Sequence, residues 1–171
     1  FNDFTYEMNN YNISLWNLTQ LANAIYPLIN DAEPLQDILN AYQKNYLMDY
    51  HKMMLSKLGL YNVNEINESF VSELTALMET SSIDMTMFFR FVSSEDVSDS
   101  KTFFNILVKA SYQSKEALLL QKEQWETWRK IYVKFLIKKN IDVVKRQSQM
   151  KLVNPKYVLR NYMAHLAIED A

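Results

Sequence analysis

The sequence predicts an all-α protein. Three observations carry this: apolar residues recur at helical spacing almost throughout, there is a single glycine, and there are only three prolines in 171 residues. Recurrence at three- and four-residue steps marks one face of a helix. Tight hairpins and bulges lean on glycine for positive φ, so a multi-stranded sheet with tight turns is not expected. One glycine also leaves no GxGxxG loop or P-loop to be written.

The elements follow in order, about seven or eight helices in all. Leu15, Leu18, Leu21, Ala22 and Ile25 mark the first, with Pro27 expected to end it. The second opens at Glu33-Pro34, since proline suits a first turn, and runs through Leu35, Ile38, Leu39, Tyr42, Tyr46, Tyr50, Met53 and Met54 to Gly59. Glycine there suits a left-handed C′ position. Ile66, Phe70, Leu74, Leu77 and Met78 form a third stripe, and Asp84 caps a short helix that buries Met85, Phe88 and Phe89. A polar, acidic loop spans Ser93 to Ser100, after which Phe103, Phe104, Leu107 and Val108 resume the helical spacing. Lys115 to Lys139 reads as one long helix with Leu118, Trp125, Trp128, Tyr132, Phe135 and Leu136 on one side, stopping at Asn140. A short helix covers Asp142 to Lys151. The last is expected to start at Asn154-Pro155, an N-cap followed by proline at N1, and to bury Leu159, Tyr162, Met163 and Leu166.

Composition bounds the class. Hydrophobic residues make up 49% and charged residues 22%, the balance of one globular domain with a real core. The chain has no cysteine, so disulfides, thiolate metal sites and a cysteine nucleophile are excluded within it, and a reducing interior, cytoplasmic or organellar, is the expected setting. No signal segment and no run of about 18–20 apolar residues is visible. The chain begins at Phe1 rather than methionine, which points to a piece of a larger protein. The sequons at Asn12, Asn17 and Asn67 read as chance matches in an asparagine-rich chain. Ten basic residues and one acid lie between Arg129 and Arg160, against eight basic and seventeen acidic residues before them. These cations fall on several helical faces without a groove-reading motif, so solvated or mutually complementary surfaces are expected rather than nucleic-acid binding.

Residue types that carry chemistry are sparse. His51 and His165 lack a metal-ligand partner of the HExxH kind, and Glu169, four residues after His165, reads as its surface pair. No GxSxG elbow supports a catalytic serine. Glu95-Asp96 falls in the polar loop, where solvation is expected. The Trp125/Trp128 pair and the tyrosines of the second helix could stack bases, but at helical spacing they read as core.

Four stretches together resemble one family. Trp16-Asn17-Leu18 with Leu21-Ala22 and Pro27-Leu28 is similar to a "WNLxxLAxxLxPL" helix, and Lys57-Leu58-Gly59-Leu60 to a "KLGL" ending. Leu77-Met78-Glu79, Asp84-Met85-Thr86 and Phe89-Arg90 are similar to "LMExxxxDxTxxFR". The most specific stretch, Asn154 to Ala164 with Ala167-Ile168-Glu169, resembles "NPKYVLRNxxAxxAIE". These motifs characterise the selenoprotein O family, kinase-like proteins once classed as pseudokinases. The segment from about Ser94 to Leu120 matches none of the motifs.

The resemblance implies a protein adenylyltransferase that moves AMP from ATP to hydroxyl side chains with Mg or Mn, and a chain that forms its helical C-lobe region. The family's ATP-gripping lysine and glutamate, phosphate-binding arginines and metal-binding asparagine and aspartate precede the WNL helix. No catalytic residue and no metal ligand is therefore expected here, the isolated chain is expected to be inactive, and its implied partners are the N-terminal lobe and the parent's protein substrates. Asn9-Asn10-Tyr11 departs from the family's "NQP" turn, which puts any role of that turn in question. The family's redox-active C-terminal tail would lie beyond Ala171.

The resemblance marks Trp16, Asn17, Asp84, Arg90, Asn154, Pro155, Lys156, Tyr157, Arg160 and Asn161 as motif residues with structural roles. Lys156 and Arg160, four apart near an expected helix N-terminus, are candidate anion contacts. The preferred reading has Asn154 capping, Pro155 setting the first turn and Arg160 pairing with a carboxylate. The alternative to the enzyme-part reading is a free-standing helical scaffold or interaction module.

Overall fold

The computed structural model describes residues 3–61, 66, 68–138, 140, 142–158 and 161–170, with side chains from Tyr11 onward except those of residues 161 and 162. Nine helices are described: α1 Asp3–Ile29, α2 Glu33–Lys57, α3 Glu68–Thr80, α4 Met85–Val92, α5 Ser100–Ala110, α6 Lys115–Leu120, α7 Lys122–Lys138, α8 Val143–Val153 and α9 Asn161–Glu169. The only β pairing among the described residues is an isolated antiparallel bridge between Ile83 and Ser111. The all-α expectation holds.

Local chemistry sets most boundaries as expected. Pro34 sits in the first turn of α2, and Gly59 at φ +71° turns the chain out of it, a conformation that costs glycine little. Gly59 is also needed for space: a Cβ there would lie 2.6 Å from Arg146 Cγ and 2.8 Å from Met150 Sδ. The Asp84, Asp99, Ser114 and Asp142 side chains each accept a backbone N–H in the first turn of the helix they precede. Each such cap is worth about 1 kcal/mol. Asn140 takes a left-handed φ of 46° after α7, as its role as a stop requires.

Three boundaries differ from expectation. Pro27 lies inside α1 rather than ending it. Its ring fixes a helix-compatible φ, and in the last turn the missing N–H costs a single bond; the chain leaves the helix at Asn30, φ 52°. The expected long helix from Lys115 divides at Gln121. The Gln121 N–H donates back to Leu118 in a tightened turn, while its carbonyl accepts from Trp125 N (3.1 Å) to open α7. Its side chain bonds Ser81 Oγ and the Thr80 carbonyl, an anchor that apolar spacing does not reveal.

The last helix is the third. Asn154 ends α8, with its N–H on Met150 O (2.8 Å), and is extended at φ −109°, ψ 97°. A residue before proline is pushed out of the α region by the ring, so α8 stops at Asn154, whose side chain turns back to Lys57 O and Ser93 Oγ instead of capping a following turn. Residues 155–158 are not helical and α9 begins at Asn161. Met163 and Leu166, expected to be buried, are 44% and 53% exposed; Leu159 and the Tyr162 side chain lie outside the described residues.

The core lies among α3, α4, α5 and α7, with the ends of α2 and α8 closing it. Trp128 is at its centre, stacked 4.9 Å from Phe70 and 5.3 Å from Tyr132. Trp125 meets Phe88 at 5.8 Å and Phe103 at 6.1 Å. Such pairs add about 0.5–1.5 kcal/mol each beyond the area they bury. Both indoles find acceptors, Trp125 Nε1 on Ser81 Oγ (2.8 Å) and Trp128 Nε1 on Phe70 O (3.1 Å). The tryptophan pair is core, as expected. The tyrosines of α2 serve a different contact: Tyr42 and Tyr46 are half-buried and flank the buried Tyr11 of α1, at 6.4 and 4.7 Å. α1 and α2 thus form a hairpin of long helices, and only the C-terminal end of α2 enters the main core.

Candidate functional site: the groove at the Asn154 junction

α4 has two faces with different tasks. Met85, Phe88, Phe89 and Val92 are buried in the core. The opposite side presents Thr86, Met87, Arg90 and Phe91. Asp84 fixes the start of this helix: its Oδ1 accepts from Met87 N (2.9 Å), its Oδ2 from Tyr112 OH (2.7 Å), and its own N–H donates to Ala110 O (2.7 Å). At 3% exposure, this carboxylate holds α4 to the end of α5.

The other end of α4 meets Asn154. Asn154 Nδ2 donates to Lys57 O (2.8 Å) at the end of α2 and to Ser93 Oγ (3.1 Å) after α4. Its backbone carbonyl accepts from Arg90 Nη1 (3.1 Å). Asn154 therefore ties the C-terminal ends of α2, α4 and α8, supplying a donor to the Lys57 carbonyl at the end of α2.

Residues 156–158 run onward from this junction. With the outer side of α4, Ser94, Glu95 and Met163 of α9, they line a groove of about 750 Å³. Lys156 Nζ lies 5.0 Å from the centre of the Tyr157 ring, and Tyr157 itself is 81% exposed. The groove combines apolar walls, two cations (Arg90 and Lys156) and one acid, Glu95.

The motif residues are thus distributed over three places. Arg90, Asn154, Pro155, Lys156 and Tyr157 converge on the junction and its groove, while Asp84 stands at the far end of α4. Trp16 and Asn17 lie exposed on α1. Arg160 and the Asn161 side chain lie outside the described residues. Lys156 is not helical, so the expected helical face shared with Arg160, and the free amides of a first turn there, do not form. Among the described residues, no group of three or more His, Cys, Asp or Glu is placed to hold a metal ion. His165 Nε2 meets Glu169 Oε1 at 3.1 Å on an exposed face, the surface pair that their spacing suggests.

Two cations of the basic stretch have structural tasks that sequence reading missed. Arg129, nearly buried, donates to the carbonyls of Val97 (3.2 Å) and Ser98 (2.6 Å) and pairs with Glu126. The Arg129 hydrogen bond holds the Glu126 carboxyl below its ordinary range, and Glu126 in turn raises Arg129. Arg146, 4% exposed, donates to Tyr132 OH (3.0 Å), which donates to Leu58 O (2.5 Å). Burial pushes the Tyr132 phenol up to about 12, although Arg146 pulls it back. Only a spacing to Glu126 could have hinted at the first, and nothing in the sequence marks the second.

The protein-family model described as "Protein adenylyltransferase SelO" matches residues 2–171. The chain belongs to the SelO family. It is similar to the protein nucleotidyltransferase YdiU of Flavobacterium johnsoniae, with 40% identity over 164 residues, covering 95% of this chain and 31% of that protein. The YdiU proteins of Aromatoleum aromaticum (34% over 163 residues, 95% and 31%) and Photobacterium profundum (38% over 165 residues, 93% and 31%) are similar in the same way. The chain spans about a third of the length of these relatives. Among the described residues, no helix is long and apolar enough to cross a membrane.

Proposed function

We propose that this chain is the C-terminal helical part of a protein adenylyltransferase, which transfers AMP from ATP to hydroxyl side chains of other proteins. The observation that carries the reading is the family match along residues 2–171 together with the relatives' greater length. The residues present do not fit ATP or a divalent metal. The one glycine is closed in by Arg146 and Met150, and the described residues offer no carboxylate or imidazole cluster. In this reading ATP and Mg or Mn are held by other parts of the family-length protein.

This chain's contribution is a rigid helical support. Catalysis of phosphoryl and nucleotidyl transfer rests on positioned phosphates and metal, and positioning needs elements that do not yield. The aromatic core around Trp128 and the ties through Asp84 and Asn154 suit that task, and they support a structural role for the motif residues Asp84, Arg90 and Asn154.

The test uses radiolabelled ATP with Mg or Mn and acceptor proteins. The family-length protein labels the acceptors with AMP, whereas the 171-residue chain alone labels nothing. Labelling by the 171-residue chain alone would overturn the proposal, as would its absence with the family-length protein.

A further inference from the structure

α1 is apolar on the side that faces α2, and its opposite side is uncharged, with exposed apolar residues set among amides. Tyr11, Leu15, Leu18, Ala22 and Ile25 form the buried or half-buried side that faces α2. Half a turn away, Ile13, Trp16, Gln20, Ala24 and Leu28 form an outer line at three- and four-residue steps, with Leu21 beside it. Trp16 is 62% exposed and Leu28 is 87% exposed. No Asp, Glu, Lys, Arg or His occurs from Met8 through Asn30. A helix that meets water on one side carries charge there, and one that is apolar all round is enclosed. An outer line of this kind marks an interaction surface.

We infer that the outer face of α1 is the surface on which the remainder of the family-length polypeptide packs. The inference rests on the proposed function and adds its interface. The relatives align with nearly all of this chain yet carry more than twice as much again, so a covering body of sufficient size exists in the family. The chemistry selects protein as the cover. The outer polar positions, Asn17, Gln20 and Asn23, are amides that both donate and accept, and backbone groups of a neighbouring segment satisfy them. Hydrocarbon cannot. Without a charge on the face, no ionic partner is required.

Trp16 reports on this directly, because Trp125 and Trp128 are each 1% exposed. The emission of Trp16 is obtained as the difference between wild type and Trp16→Phe. In the 171-residue chain it is red-shifted and quenched by iodide. In the family-length protein it shifts to the blue and its iodide quenching constant falls several-fold. Trp16→Lys supplies the second measurement, leaving the Tm of the 171-residue chain unchanged and lowering that of the longer protein.

Equal quenching in both proteins overturns the inference. So does protection of Trp16 in the 171-residue chain that rises with its concentration, since a second copy would then be the occupant. The two proposals fail separately. AMP transfer by a longer protein whose Trp16 stays quenchable ends this one alone, and a protected Trp16 in a longer protein without transfer ends the other.

Discussion

Replacing Tyr132 with phenylalanine changes how stability depends on alkaline pH. The phenol is fully buried, donates to Leu58 O and accepts from Arg146. At neutral pH, Tyr132→Phe removes both bonds and leaves a buried carbonyl and guanidinium short of partners, costing about 1–3 kcal/mol. The pH effect has the opposite sense. The folded phenol titrates at about 12 against 10.0 for the free side chain, so above pH 10 the unfolded chain loses this proton first. Fewer protons bound in the unfolded state means that stability falls as pH rises. At pH 11 the loss from this group is about 1.4 kcal/mol, one pK unit's worth. Urea unfolding of wild type and Tyr132→Phe at pH 8 and pH 11 gives the measurement. The gap between the two proteins narrows by about 1.4 kcal/mol at pH 11, roughly the equivalent of tenfold in the unfolding constant. Parallel pH profiles would refute the burial argument.

Gly59→Ala meets both a left-handed φ and the Arg146 and Met150 side chains, so it destabilises by more than the roughly 1 kcal/mol of backbone strain, read as a fall in the urea midpoint. Glu126→Gln flattens acid unfolding. Because the folded carboxyl is held below its ordinary value by Arg129, its contribution is present above pH ~4.5 and is lost as pH falls through the folded value; Tm scans from pH 6 to 3 show wild type losing more than the variant. Asn154→Ala removes the donors to Lys57 O and Ser93 Oγ at about 2 kcal/mol, and hydrogen exchange speeds up first at the ends of α2 and α4.

Helices were legible where a periodic stripe coincided with a local terminus. Asp84 and Asp142 cap because a short carboxylate reaches the first-turn amides, and such a residue before an apolar stripe is visible in one dimension, whereas Asp99, which also caps, lies in a stretch that reads only as a polar loop. Gly59 was legible for its φ but not for its crowding, which comes from a helix more than eighty residues later. The division at Gln121 was hidden because Leu118 and Trp125 keep helical phase across it, while the anchor on Ser81 comes from elsewhere in the chain. Asn154-Pro155 carried two local signals at once. A cap-forming residue before proline reads as a helix start, but the same proline equally ends a preceding helix at that residue, and the Asn154 side chain is engaged by Lys57 O and Ser93 Oγ rather than by a following first turn. The groove beside Arg90 could not be read at all, since it exists only once α4 and residues 156–158 lie side by side.

The bond from Asn154 to the Lys57 carbonyl spans 97 positions, and that interval is also a time. A ribosome adds about 5–20 residues per second, so the end of α2 waits roughly 5–20 s before its partner is even made. The bond from Asn154 to Ser93 spans 61 positions and forms at the same moment. During that interval the Lys57 carbonyl and the Ser93 hydroxyl are without this amide, and the helical body is a near-complete core without its clasp. Synthesis that ends short of residue 154 therefore leaves a body whose packing is present but whose α2 end lacks this bond, the place where local opening costs least.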